Sequence, residues 1–305
     1  MVTIADFIKI PKTDSYNHLK FGMRYFSFVH WAGFFVPDFP ENGICCDEDM
    51  RSDIQNYIST KTATADDVQK LLSIAISEAI SDTVKNLDAM IDFSLAESCG
   101  TPDNFIETIK KTIEKYSDKV EIRPFLSFNI DDFCNEELDE ESLAALLRNA
   151  GTLMKSGYFS GFDFCGNISE ARIEKIKPLI RSSRGEKLPV SVCCDFIKSS
   201  EEFLSLFEIF KPSAVCNFDP ELCDENIQSV LKKKNVIFEI SPELFLSKDG
   251  FSAQKAAALK KVFEGEVVVK LCSGKILYTN SPISSFATEL CNTGAFSKEE
   301  LSGIL

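Results

Sequence analysis

The densest concentration of potentially reactive side chains lies near the start of the chain, in Ile10-Pro11-Lys12-Thr13-Asp14-Ser15-Tyr16-Asn17-His18-Leu19, with Gly22 shortly after. His18 is one of only two histidines, and an imidazole serves both metal ligation and proton transfer near neutral pH. A polar, aromatic extended segment that ends in such a residue suits a strand whose last inward side chain reaches a ligand at a barrel mouth. Tyr16 and His18 are two apart, so on a strand they face the same side, either as ligand-binding groups or as a hydrogen-bonded core pair. Lys275 is a further candidate for binding an anion or forming a Schiff base; near a chain turn, the plainer reading of a lysine is a solvated surface residue.

These residues need a frame, and the apolar spacing supplies one. Val68, Leu71, Leu72, Ala75, Ile76, Ala79 and Ile80 recur at helical spacing, and Ala89 to Leu95 reads as a strand. Thr101 before Pro102 marks a helix start, ahead of a strand over Val120 to Phe128. The acidic segment Glu136 to Glu141 opens the next helix, where carboxylates favour the positive end. Strands are then predicted at Phe159 to Phe164, Leu188 to Cys193, Ala214 to Asn217, Val236 to Ile240 and Val267 to Leu271. Helices between them fall at Ile168 to Ile180, Ser199 to Phe210, Pro220 to Lys233 and Ser252 to Val262. With Thr13 to His18 as the first strand, the order is that of a single α/β domain over 1–305, a (βα)8 TIM barrel. The aromatic run Tyr25 to Trp31 and the Pro37 to Gly43 turn belong to a covering segment of about residues 19–65. No Gly-x-Gly-x-x-Gly follows the first strand, which weighs against an open dinucleotide-binding sheet.

At 305 residues and 44% hydrophobic content the chain can bury one large core. Its net charge of -14 disfavours nucleic acid, whose binding relies on Lys and Arg displacing counterions from phosphates. The only dense basic run, Lys232 to Lys234, closes an amphipathic helix and offsets its negative end. No uncharged apolar run reaches membrane-spanning length and no leader is evident, so the expected location is cytoplasmic, with no membrane partner. The cysteines number 11, an odd count without Cys-x-x-Cys spacing, and are expected to be free thiols.

The first stretch resembles the Leu-Pro-Lys and Leu-His-x-His-Leu signature of the adenosine deaminase-like family of the amidohydrolase superfamily, with Tyr16 in place of the first histidine. Further similarities follow in order. Ile91-Asp92-Phe93-Ser94-Leu95 resembles the family's second strand, and Pro124 to Phe128 sits where its third should be. Gly161-Phe162-Asp163-Phe164-Cys165-Gly166 resembles its fourth-strand motif, whose last glycine, here Gly166, brings backbone close to the purine. Cys193-Cys194-Asp195-Phe196 stands where the family has His-Ala-Gly-Glu, so Cys193 replaces a metal ligand and Phe196 the acid/base. Cys216 replaces a histidine on the sixth strand, and Glu239-Ile240-Ser241-Pro242 matches the seventh. Ser273-Gly274-Lys275 falls near Thr-Asp-Asp, and Gly294 to Leu301 resembles a late family segment beyond which further helices would be expected.

The resemblance thus implies a metal-dependent hydrolase frame with most of its chemistry removed. The expectation is a pseudoenzyme that binds a purine-like or other small ligand at the barrel mouth through Tyr16, His18, Gly166 and Lys275, with no cofactor. One alternative is a hydrolase acting on C–N bonds, with a zinc site rebuilt from His18, Cys193 and Cys216 and with Cys272 nearby. Another is cysteine nucleophile chemistry with His18. A third is a structural or partner-binding protein.

Overall fold

The computed structural model describes residues 2–33, 48–135, 138–247 and 249–305. Eight parallel strands form the frame: β1 Lys12–His18, β2 Val84–Asp92, β3 Glu121–Asn129, β4 Gly161–Cys165, β5 Val190–Cys193, β6 Ala214–Cys216, β7 Ile237–Ile240 and β8 Val269–Leu271. They pair in sequence order. The ring meets at its mouth through Asn17 and Gly274: Gly274 N donates to Tyr16 O at 2.9 Å and His18 N to Gly274 O at 3.1 Å. At the opposite end the chain terminus fills the seam, Leu305 O accepting from Thr13 N at 3.1 Å and Ile304 O from Leu271 N at 3.4 Å. This is the (βα)8 architecture that the alternation predicts.

Capping chemistry explains where the helices begin. Thr101 Oγ accepts from Asn104 N ahead of helix Pro102–Glu114, and Asp139 caps Glu140–Met154, so that helix starts late in the acidic run, of which Glu136 and Glu137 lie outside the described residues. Two expectations need correction. The second strand spans Val84–Asp92 rather than 89–95, because the Asp92 carboxylate accepts from Ser94 N and turns the chain into the 3-10 segment Phe93–Cys99. The helix expected over 220–233 divides into Pro220–Leu222 and Glu225–Lys234, where Asp224 caps Ile227 N at 2.9 Å. The aromatic run folds as helix Tyr25–Ala32, whereas the Pro37 to Gly43 turn lies outside the described residues.

Outward strand residues such as Leu87, Ala89 and Ile91 pack with the helices' apolar faces into one buried cluster with Leu71, Ile109, Leu153 and Phe203. Each such large side chain is worth about 1.5–3 kcal/mol. This packing holds the strand ends in place around the mouth. The segment after β1 docks beside β8: Gln55 Nε2 donates to Tyr278 Oη at 3.3 Å and the Arg51 guanidinium lies 5.1 Å from the Tyr278 ring centre. Among the described residues no helix is long and apolar enough to cross a membrane.

Candidate active site at the barrel mouth

Alternation along each strand sends every second side chain inward. The resulting layer is unusual in composition: Tyr16, Met90, Phe125, Cys165, Cys193, Cys216 and Cys272 form one buried cluster. Burial pushes the Tyr16 phenol and the thiols of Cys165, Cys193, Cys216 and Cys272 well above their ordinary values, with nearby carboxylates adding to the effect. They are held as neutral groups, so none of these cysteines is an activated thiolate. Cys216 Sγ donates to Glu239 Oε2 at 2.9 Å. Burial in turn raises the Glu239 carboxyl to about 7, although the Cys216 hydrogen bond opposes this.

Towards the mouth the layer becomes polar. The Tyr16 and His18 rings meet edge to face with centres 4.7 Å apart, as their spacing predicts. His18 Nε2 lies 3.8 Å from Asp163 Oδ2, which accepts from Ser127 Oγ at 2.6 Å. Ser127 Oγ is also 3.8 Å from Cys165 Sγ. Burial depresses His18 strongly, with Lys275 and Lys20 contributing, so its imidazole is neutral at physiological pH. Burial lifts the Asp163 carboxyl to about 7 against the opposing Ser127 hydrogen bond and Lys275. Four buried atoms here have no hydrogen-bond partner: Tyr16 Oη, His18 Nε2, Asp163 Oδ1 and Asp195 Oδ1.

Lys275 is positioned by its own backbone, since its N–H donates to Glu243 Oε1 and it follows Gly274, whose φ is +61°. It is half-buried rather than solvated. Burial opposes its charge, but the carboxylates Glu243 and Asp195 outweigh that and raise its pKa, so it stays a cation. A Schiff-base role needs the free amine and is therefore disfavoured. Below it, Asp14 ties β1 to β8 by accepting from Ser273 N at 3.0 Å and Ser273 Oγ at 2.5 Å.

Other expected site residues are placed differently. Phe196 is 49% exposed and does not fill the mouth. Instead its neighbour Asp195 is the group that acts electrostatically on Lys275, Asp163 and Cys193. Gly166 adopts φ +92°, and a Cβ there would meet Asn129 Oδ1 at 2.2 Å, so the glycine is required by its own loop. The set His18, Cys193 and Cys216 does not come together as metal ligands. Among the described residues, the donors within 4.8 Å of one another belong to His18, Asp163 and Cys165. Cys193 and Cys216 instead lie in one buried cluster with Tyr16, Cys165 and Cys272. Asp163 and Cys165 went unassigned in the sequence, though their two-residue spacing between Gly161 and Gly166 is the same signal that paired Tyr16 with His18.

No protein-family model matches the chain. It is similar to a Treponema pallidum (strain Nichols) protein described as "Putative adenosine/adenine deaminase", 22% identical over 296 residues, covering 97% of this chain and 96% of that protein. Among solved structures, a zinc-bound amidohydrolase from Burkholderia ambifaria superposes with a TM-score of 0.72 at 12% identity, covering 99% of this chain and 88% of that one. Arabidopsis ADAL complexed with IMP superposes with a TM-score of 0.70 at 16% identity, covering 97% and 89%. The likeness runs through nearly the whole barrel, in agreement with the motifs read along the sequence.

Proposed function

We propose, on the premise of an adenosine deaminase-like amidohydrolase barrel spanning 1–305, that the mouth binds a small, purine-like heteroaromatic molecule and does not deaminate adenosine. The observation that carries this reading is the group of buried, unpartnered atoms on Tyr16, His18, Asp163 and Asp195. Each such atom costs about 1–3 kcal/mol when left unsatisfied, so their convergence favours an occupant that offers donors and acceptors along one edge. A purine edge alternates both. Tyr16 Oη is a donor, the His18 nitrogen in its neutral state an acceptor, and Asp163, with a pKa of about 7, can be either. The complex of Arabidopsis ADAL with IMP supports the ligand class by analogy.

Deamination of this type needs a metal-activated water and a nearby proton carrier. Tyr16 lies in one buried cluster with Cys193 and Cys216, the thiols that stand where the family has metal ligands, and Phe196, at the family's acid/base position, is 49% exposed and carries no proton. Asp195 favours a second reading, a hydrolase acting on C–N bonds in which that carboxylate, one residue earlier than expected, carries the proton. The net charge of -14 argues against a nucleic-acid partner, and the many free thiols suit a reducing cytoplasm.

Calorimetric titration with adenine, adenosine, AMP and IMP, beside an adenosine absorbance assay with and without added zinc, tests both readings. Saturable binding of a purine, weakened at least about tenfold in Asp163→Ala, is expected, with no turnover. Absence of binding by all four compounds would overturn the ligand class. Zinc-dependent turnover that disappears in His18→Ala would overturn the non-deaminating assignment in favour of the hydrolase.

A further inference from the structure

We infer that the barrel mouth holds a divalent transition-metal ion on His18, Asp163 and Cys165, a ligand set displaced from the inherited position. The ion takes up His18 Nε2 and Asp163 Oδ1, so a purine bound beside it is left Tyr16, Asp195 and the ion's open position. The three donors come from opposite sides of the barrel. Asp163 and Cys165 are two apart on β4 and so share its inward face, and His18 closes the set from β1. All three residues are fully buried, and their donor atoms lie within 4.8 Å of one another. His18 Nε2 and Asp163 Oδ1 have no partner, so neither has to give up a hydrogen bond to ligate.

The dimensions suit a tetrahedral ion. Zinc bonds of about 2.0 Å to nitrogen and oxygen and about 2.3 Å to sulfur place neighbouring ligand atoms roughly 3.3–3.5 Å apart. The carboxylate oxygen that Ser127 holds, Asp163 Oδ2, stands 3.8 Å from His18 Nε2, so ligation through the free Oδ1 takes a side-chain adjustment. Charge balances too: one carboxylate, one thiolate and a neutral imidazole cancel a divalent cation, which lowers the cost of burying it. The ion displaces the Cys165 proton on binding, and that proton leaves to solvent. Ser127 supplies the supporting contact. It donates to Asp163 Oδ2, leaving Oδ1 free, and its hydroxyl lies against Cys165 Sγ. Thiolate and imidazole select zinc, cobalt or iron over magnesium or calcium, and three protein ligands leave one position open.

The test uses full-length protein kept reduced, stripped with a chelator and titrated with Co²⁺, whose bond to a thiolate gives a near-ultraviolet charge-transfer band. One equivalent of cobalt is expected to produce the band, and zinc to bleach it. The band disappears in Cys165→Ser and persists in Cys193→Ser and Cys216→Ser. Ser127→Ala, which touches no metal, weakens cobalt binding by about 10- to 100-fold. Circular dichroism confirms that each variant is folded, and Cys165→Ala replaces Cys165→Ser if the latter is not. Absence of the band in the wild type, or a band that survives at Cys165→Ser and is lost at Cys193→Ser or Cys216→Ser, overturns the assignment.

Discussion

Glu239 offers a measurement that reaches the barrel interior without touching the mouth. Its carboxyl is buried on β7, accepts the Cys216 thiol proton at 2.9 Å, and is raised by burial from the ordinary 4.5 to about 7. The folded protein therefore keeps this proton over a range in which the unfolded chain releases it. By linkage, stability associated with Glu239 is fully present below pH 4.5 and is lost as pH rises to about 7. The interval corresponds to about 3 kcal/mol. Glu239→Gln keeps the size of the side chain and an acceptor for Cys216, and removes the titration. Any cost of placing the amide is constant with pH, and the parallel contribution of Asp163 is shared by both proteins. Urea unfolding at a series of pH values from 4.5 to 8 is the assay. The stability difference between variant and wild type is expected to move by about 3 kcal/mol in favour of the variant across that range. Parallel profiles would show that Glu239 ionises normally in the fold and would refute the account of its burial.

Two further perturbations test the frame. Arg123 Nε and Nη2 reach Asp88 Oδ1 and Oδ2 at 2.6 Å each, so Arg123→Ala leaves a buried carboxylate uncompensated and should cost about 1–3 kcal/mol in chemical denaturation, with Arg123→Lys recovering only part because the two-point geometry is lost. Gly274→Ala forces a side chain onto φ +61° with its Cβ 2.6 Å from Ser241 Oγ; a loss of about 1–3 kcal/mol is expected, with faster hydrogen exchange of the His18 amide, whose acceptor is Gly274 O.

The barrel was legible because its signals are local. Helical spacing from Val68 to Ile80 and the Thr101-Pro102 start are set by residues a turn apart, and each is found where predicted. The errors occur where a single polar side chain overrides an apolar run. Ile91 to Leu95 looks like a strand by composition, but the Asp92 carboxylate captures Ser94 N and ends it. Likewise Asp224 restarts a helix that apolar spacing alone would carry through from Pro220.

The site was legible only where two partners share a strand. Tyr16 and His18 share a side because period-two spacing fixes it, but they meet ring to ring and not through the hydrogen bond expected of a core pair; the same rule joins Asp163 to Cys165. What spacing does not give is depth across the barrel: whether His18 on β1 faces β4 or β5 depends on which side chain fills the centre. Position-by-position substitution suggested that Cys193 and Cys216 inherit the ligand role. That reasoning treats each position separately, whereas the inward ring of Tyr16 has to be accommodated by its neighbours. Small thiols at positions 165, 193, 216 and 272 make that room. The cysteines near Tyr16 are thus its packing partners in one buried cluster. Of these thiols, Cys165 alone belongs to the set that brings it within ligand reach of both His18 and Asp163.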